Sequence, residues 1–298
     1  MIARSRHSWP ALRSALAAAA LALAAGCAHQ GGTARPGGAD SQPPAADSVT
    51  VGLWRFNETA GARNADAGPF RLAGTAGIDV RADFGRFGSA RRFQRTIQSF
   101  VLVPHNPVLQ PPAEITCEAW IYPTQFGQYE DTPIAACWTE EPDHRSWLFA
   151  LGGERQVPPL ARLASPGFHD ELVPFAAPGR LLFAFVPEEA GAPRAFLSAR
   201  PVRLERWTHV AATYDGQIVR FYIDGLLDSQ YAFRGRIRTS NAPLLIGNYL
   251  DVRFISGFGG FLRAEQSDAN PYYAFVGLLD ELRISSAARA DFPKATRP

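Results

Sequence analysis

Residues 207–225 read WTHVAATYDGQIVRFYIDG, and no part of the chain restricts the fold more. Alternation puts Val210, Ala212 and Tyr214 on one face of a strand and His209, Ala211 and Thr213 on the other. Asp215-Gly216 suits a two-residue hairpin turn, in which both central residues take positive φ. Residues 218–223 return as a second strand, with Val219, Phe221 and Ile223 on one face, and Asp224-Gly225 turns the chain again. A meander of three antiparallel strands accounts for nearly every residue here without any chemistry.

The rest of the body repeats the pattern. SVTVGLWRF, QSFVLVP, EITCEAWIYP, SWLFALG, RLLFAFVP and AFLSARPV are short apolar or alternating runs bounded by Gly, Pro or Asp. Only SSAARADF, close to the end, looks helical. Many short strands with this punctuation predict an all-β sandwich or barrel, as one domain over residues 48–292 with a tail at 293–298. Two segments, residues 154–179 and 251–273, exceed what such a domain needs, and long patternless loops are usually functional or disordered. A hairpin centred near residue 127 would bring Cys117 and Cys137 face to face, either as a disulfide or as two buried thiols.

The first fifty residues are different. Arg4, Arg6 and Arg13 precede an apolar run, residues 15–25, that is too short to span a bilayer but suits the core of an export signal. It ends in Ala24-Ala25-Gly26-Cys27, which resembles a bacterial lipoprotein signal with Cys27 as the lipidated residue. Leu23 sits one step earlier than that pattern places it, and an ordinary secretory signal is the alternative. Ala28 after the Cys is consistent with sorting to an outer membrane. Residues 1–26 are therefore expected to be the signal. Residues 27–47, rich in Gly, Pro and Ala, are expected to be a flexible tether in a cell-envelope protein anchored to the membrane by its lipid.

The whole chain has 30 basic and 28 acidic residues, and the signal holds three Arg and no acid. The exported part is thus nearly neutral, which excludes the basic footprint of a nucleic-acid binder.

Trp207-Thr208-His209-Val210-Ala211, Tyr214-Asp215-Gly216 and Phe221-Tyr222-Ile223-Asp224-Gly225 together resemble the core hairpin of laminin-G-like domains, members of the concanavalin A-like jelly-roll superfamily. Gly52-Leu53-Trp54-Arg55-Phe56-Asn57-Glu58, Ile115-Thr116-Cys117-Glu118-Ala119-Trp120-Ile121, Leu245-Ile246-Gly247-Asn248 and the stretch from Phe275 to Ile284 match other family strands in the family's order. The Gly88–Arg95 segment departs from it, lacking the usual Phe-Asp-Gly turn.

The resemblance implies a two-sheet antiparallel jelly roll in which Trp207 and His209 pack rather than react. It also implies a structural calcium ion near the meeting of first and last strands, held by Asp66 and Asp280, because calcium wants six to eight oxygen ligands. Both acids could equally serve a turn or pair with an Arg.

A binding role follows from the same resemblance, with carbohydrate or glycoconjugate as the leading ligand and an envelope or surface protein as the alternative partner. Aromatic faces that could stack on sugar rings are Phe254, Phe258, Phe261, Tyr272 and Tyr273 in the second long segment. Phe168, His169, Asp170 and Phe175 in the first, and Phe126 and Tyr129 near residue 127, are further loop residues. The Glu-x-Asp-x-x-Glu run of the β-glucanases that share this architecture does not occur in the chain. Its adjacent acid pairs (Glu130-Asp131, Glu140-Glu141, Glu188-Glu189, Asp280-Glu281) would point to opposite faces of a strand, so binding is expected rather than catalysis, with a diverged polysaccharide-degrading enzyme as the third alternative because related folds host hydrolases and lyases.

Overall fold

A computed structural model describes residues 42–127, 131–139, 142–153, 178–189, 192–248, 255–256, 261–262 and 274–294. All of them belong to one compact unit, Pro36–Pro298. In chain order the strands are β1 (Thr50–Trp54), β2 (Arg63–Asn64), β3 (Gly74–Ala76), β4 (Arg81–Phe84), β5 (Ser89–Phe93), β6 (Val101–Val103), β7 (Ile115–Gln125), β8 (Thr132–Trp138) and β9 (Arg145–Leu151). They continue with β10 (Arg180–Phe185), β11 (Arg194–Pro201), β12 (Thr208–Tyr214), β13 (Ile218–Ile223), β14 (Leu226–Ala232), β15 (Leu244–Ile246), β16 (Ile255–Ser256), β17 (Phe261–Leu262) and β18 (Val276–Ser285).

Two antiparallel sheets form the expected sandwich. The first runs β14-β13-β12-β7-β18-β5-β4, with β1 also paired to β18, and the second runs β11-β10-β9-β8-β15-β6-β3-β2. Alternation sorts the side chains. Ile115, Cys117, Ala119 and Ile121 of β7, Val210, Ala212 and Tyr214 of β12 and Leu279, Leu282 and Ile284 of β18 enter the main core. There they meet Trp147, Phe149, Phe183 and Phe185 of the second sheet. Burial of this continuous apolar layer is the main stabilising term, at roughly 25 cal/mol per Å² removed from water. The second sheet is apolar on its other face too, where Trp138, Leu148, Leu182 and Val186 are buried.

The β12-β13-β14 meander is as expected, but its turns are not alike. Asp224 and Gly225 both take positive φ (51° and 72°), as a tight hairpin turn requires. At the earlier turn only Gly216 does so, at 81°. Asp215 instead accepts the backbone N–H groups of Gln217 and Ile218 through Oδ1, at 2.9 and 2.7 Å, which closes a longer loop.

Three other expectations are corrected. β7 and β8 are not a hairpin: they lie in different sheets, so the chain near residue 127 crosses the sandwich. Cys117 and Cys137 both face the core as free, buried thiols, and burial pushes the Cys117 thiol well up from its ordinary range. SSAARADF forms no helix: residues 286–294 are irregular, and Phe292 packs against Tyr222 with ring centroids 4.7 Å apart. Arg55 donates to the Pro44 carbonyl at 3.0 Å, Arg283 to the Ala45 carbonyl at 2.9 Å and Arg289 to Asp47 Oδ1 at 2.6 Å, so residues 44–47 are held against the first sheet.

Candidate functional site

The first sheet carries its polar residues on the face away from the core. Cross-strand pairing arranges them in rows, because paired residues of neighbouring strands share a face. Asp280 pairs with Trp120, which pairs with His209. One row along, Arg283 pairs with Glu118, which pairs with Ala211. Between the rows β18 bulges at Asp280/Arg283, and Glu281 takes a φ of 49°. The neighbour of β18 changes at this bulge, from β5 beside residues 277–279 to β1 beside residues 282–285.

The second row is an ion network. Glu118 Oε1 accepts from Arg283 Nε at 2.7 Å, and Glu118 Oε2 lies 3.1 Å from His209 Nε2. Burial raises the carboxyl, but His209 and Arg283 outweigh it and hold Glu118 below the usual carboxylate range. The His209 and Glu118 side chains are 1% and 0% exposed, so this acid–imidazole pair is sealed from substrate and braces the sheet. The sequence assigns His209 to packing but does not reveal Glu118 as its partner or Arg283 as the second partner of Glu118.

The first row lies under aromatic rings and an arginine. Trp120 packs edge-on against Phe87 (centroids 5.9 Å apart) and His209 (5.4 Å), and Tyr122 lies 5.7 Å from Trp207. These rings, with Leu278 and Ala90, form an apolar cluster separate from the main core. Trp120 and Trp207 are 1% and 8% exposed, while Tyr122, Phe87 and Arg86 are half-buried and face solvent in part. The Arg86 guanidinium lies 4.7 Å from the Trp120 ring centroid and 5.5 Å from that of Phe87. Asp224 and Asp280 both act on its charge.

The β4–β5 hairpin that carries Arg86 is fastened to β18, since Asp280 Oδ2 accepts the Phe87 N–H at 2.9 Å. Gly85 permits this approach, because a Cβ there would fall 2.3 Å from the Ser89 carbonyl oxygen and 2.7 Å from Asp280 Oδ2. Burial, with the Glu281 charge adding to it, pushes the Asp280 carboxyl up to about 8 against the lowering effect of its backbone hydrogen bonds. Burial likewise brings Glu281 up to about 7 although Arg55 pairs with it. The face therefore combines partly open aromatic rings with hydrogen-bonding groups.

A family model described as the concanavalin A-like lectin/glucanases superfamily matches residues 95–291. The chain belongs to this family. Among solved structures it is similar to the binding domain of Paraclostridial Mosquitocidal Protein 1, with a TM-score of 0.52 and 12% identity over 81% of this chain and 49% of that one. It is also similar to domain 4 of AbnA, a GH43 extracellular arabinanase from Geobacillus stearothermophilus, solved with arabinotriose (TM-score 0.50, 18% identity, 80% of this chain and 93% of that one). A botulinum neurotoxin type C structure, described as dependent on two ganglioside molecules for cell entry, gives a TM-score of 0.52 at 10% identity over 81% and 48%. The chain thus spans about half the length of the two toxin structures. No curated protein matches it.

The expected family residues fall in separate places. Asp66 Oδ1 accepts the N–H groups of Leu53 and Gly68 at 2.7 and 2.6 Å, and its Oδ2 accepts that of Leu72 at 2.8 Å. It fastens a turn, while Asp280 fastens the β4–β5 hairpin. Among the described residues no group of three or more His, Cys, Asp or Glu could hold a metal ion, and these two acids do not fit a calcium site. Phe254, Phe258, Tyr272, Tyr273 and Cys27 lie outside the described residues. Phe261 is described only as backbone of β17, paired with β16.

Proposed function

We propose that this chain is a carbohydrate- or glycoconjugate-binding domain, exported and held at the cell envelope by a lipid on Cys27. The observation that carries the binding reading is the aromatic cluster of Tyr122, Trp207, Phe87 and Trp120. It faces away from the core, where strand pairing alone does not call for aromatic rings, and Arg86, Asp224 and Asp280 border it. Sugars need this combination, apolar ring faces for their C–H surfaces and polar groups for their hydroxyls. The arabinotriose and ganglioside ligands of two structures with the same fold support testing this ligand class first.

The test is binding of the protein to a panel of polysaccharides and ganglioside-type glycans, by calorimetry. Wild type should bind a subset, and Tyr122→Ala should weaken that binding by about tenfold through loss of one stacking face. A parallel Tyr272→Ala/Tyr273→Ala variant examines the second long segment. Loss of binding there with Tyr122→Ala unaffected would move the site to that segment. A blank across the panel would sink the carbohydrate reading.

A further inference from the structure

One row beyond Trp120, strand pairing sets four residues side by side on the outer face of the first sheet. Arg81 of β4 pairs with Arg92 of β5, Arg92 with Leu278 of β18, and Leu278 with Tyr122 of β7. The Tyr122 ring then meets that of Trp207. Leu278 and Trp207 are 7% and 8% exposed, so they form a floor. Tyr122 and Arg92 stand half-buried beside it, and Arg81 is exposed at the sheet edge. Two arginines directly opposite each other in an antiparallel pair repel and cost stability. Asp83 answers one of them, since its Oδ2 accepts from Arg92 Nε. No described residue forms an ion pair with Arg81. This corner of the face thus carries positive charge beside an aromatic ring that reaches solvent.

We infer that this row binds an acidic sugar, with the sugar ring stacked on Tyr122 and its carboxylate or sulfate held by Arg81 and Arg92. This rests on the carbohydrate reading and deepens it by naming the charge of the ligand. The spacing fits. Neighbouring strands lie about 4.7–4.9 Å apart, so the Tyr122 and Arg92 backbones are about 10 Å apart with Leu278 between them. A sugar on Tyr122 lies over the low Leu278 floor and can direct a ring substituent toward β5. Arg81 and Arg92 are one strand apart, and their guanidinium forks donate in the geometry that an oxyanion accepts. An anion between them offsets their mutual repulsion. A neutral sugar leaves the Arg81 charge unanswered, and a cationic ligand adds to the repulsion. The whole chain has 30 basic and 28 acidic residues, so the attraction is local to this row rather than a property of the whole surface.

The test is calorimetry at low ionic strength with matched probes: oligogalacturonate against galacto-oligosaccharide, sialyllactose against lactose, and a sulfated against an unsulfated galactan oligosaccharide. The acidic member of at least one pair should bind about tenfold more tightly than its neutral counterpart, and the pair that responds tells carboxylate from sulfate. Added salt should narrow that gap, because the arginines are exposed enough to be screened. Arg81→Gln should weaken the acidic sugar about three- to fivefold. Arg81→Gln/Arg92→Gln should abolish the preference, and both variants should leave the neutral sugar within about twofold of wild type. Arg236→Gln removes the same charge from an exposed arginine just past β14, the strand at the opposite edge of the sheet from β4, and should leave the preference intact. An equal loss in Arg236→Gln, or acidic and neutral sugars binding alike, would overturn the acidic seat and leave the carbohydrate reading standing. If no probe binds, the inference falls, and a blank across the wider panel takes the carbohydrate reading with it.

Discussion

Asp280→Asn should change how stability depends on pH. In the folded chain the Asp280 carboxyl is pushed up to about 8, from an ordinary value of 3.8, chiefly because it is buried. The folded state therefore keeps a proton that the unfolded state has released across most of the neutral range. A raised value gives stability that is complete below the unfolded pKa and is lost as pH rises through the folded one. Between those limits one such group costs about 1.4 kcal/mol per pH unit, so from about pH 5.5 to about 7.5 Asp280 alone removes about 3 kcal/mol. Against a usual total of about 5–15 kcal/mol this is readily measured. Glu118 and Asp215, whose values are lowered, are ionised in both states over this window and add almost no slope. Glu281, raised to about 7 by burial, adds a slope of the same sign. The assay is urea unfolding across a pH series. Wild type should lose stability steadily toward alkaline pH. Asp280→Asn should be shallower by about 1.4 kcal/mol per unit, with Glu281 accounting for what slope remains. Equal slopes in the two proteins would show that Asp280 is ionised in the fold, and the argument from burial would be wrong.

The ion network and the Asp66 turn give two further predictions. Glu118→Ala leaves the buried Arg283 guanidinium without its carboxylate and His209 Nε2 without its partner, so denaturant unfolding should show a loss of about 3–5 kcal/mol. In a double-mutant cycle, Glu118→Gln with Arg283→Met should cost less than the sum of the two single changes, and strict additivity would mean that the two do not interact. Asp66→Ala strands three backbone N–H groups and should cost about 3 kcal/mol. That loss should be the same in chelator and in millimolar calcium, and a loss seen only with calcium present would return Asp66 to a metal site.

What the sequence made legible was local. Alternation in residues 208–223 sorted Val210, Ala212 and Tyr214 inward and His209 outward, because a strand's period of two needs no knowledge of its partners. What it hid depends on contacts far apart in the chain. His209 and Glu118 lie 91 residues apart, and only the pairing of β12 with β7 brings them together. The cysteine error has the same origin. An alternating strand followed by a turn reads alike whether the next strand pairs in the same sheet or crosses to the other, and β8 crosses. SSAARADF has good helix formers, yet Phe292 is 4% exposed against Tyr222, so tertiary packing overrides propensity. The Trp120 row was hidden too, since it depends on a register between three strands that come from different parts of the sequence.

The outer face of the first sheet thus divides at the Asp280–Glu281 bulge. On one side the first and last segments of the described domain close over it: Ala45 takes a bond from Arg283, Arg289 reaches Asp47, and Phe292 lies 5.7 Å from the His209 ring. Buried charges there are matched, as a permanently sealed surface requires. On the other side Tyr122, Phe87 and Arg86 are half-buried and face solvent in part, with Arg86 4.7 Å from the Trp120 ring centroid. Rings that reach solvent are therefore the physical reason to look for a ligand on the Tyr122 and Phe87 side of the bulge and not beside the sealed Glu118.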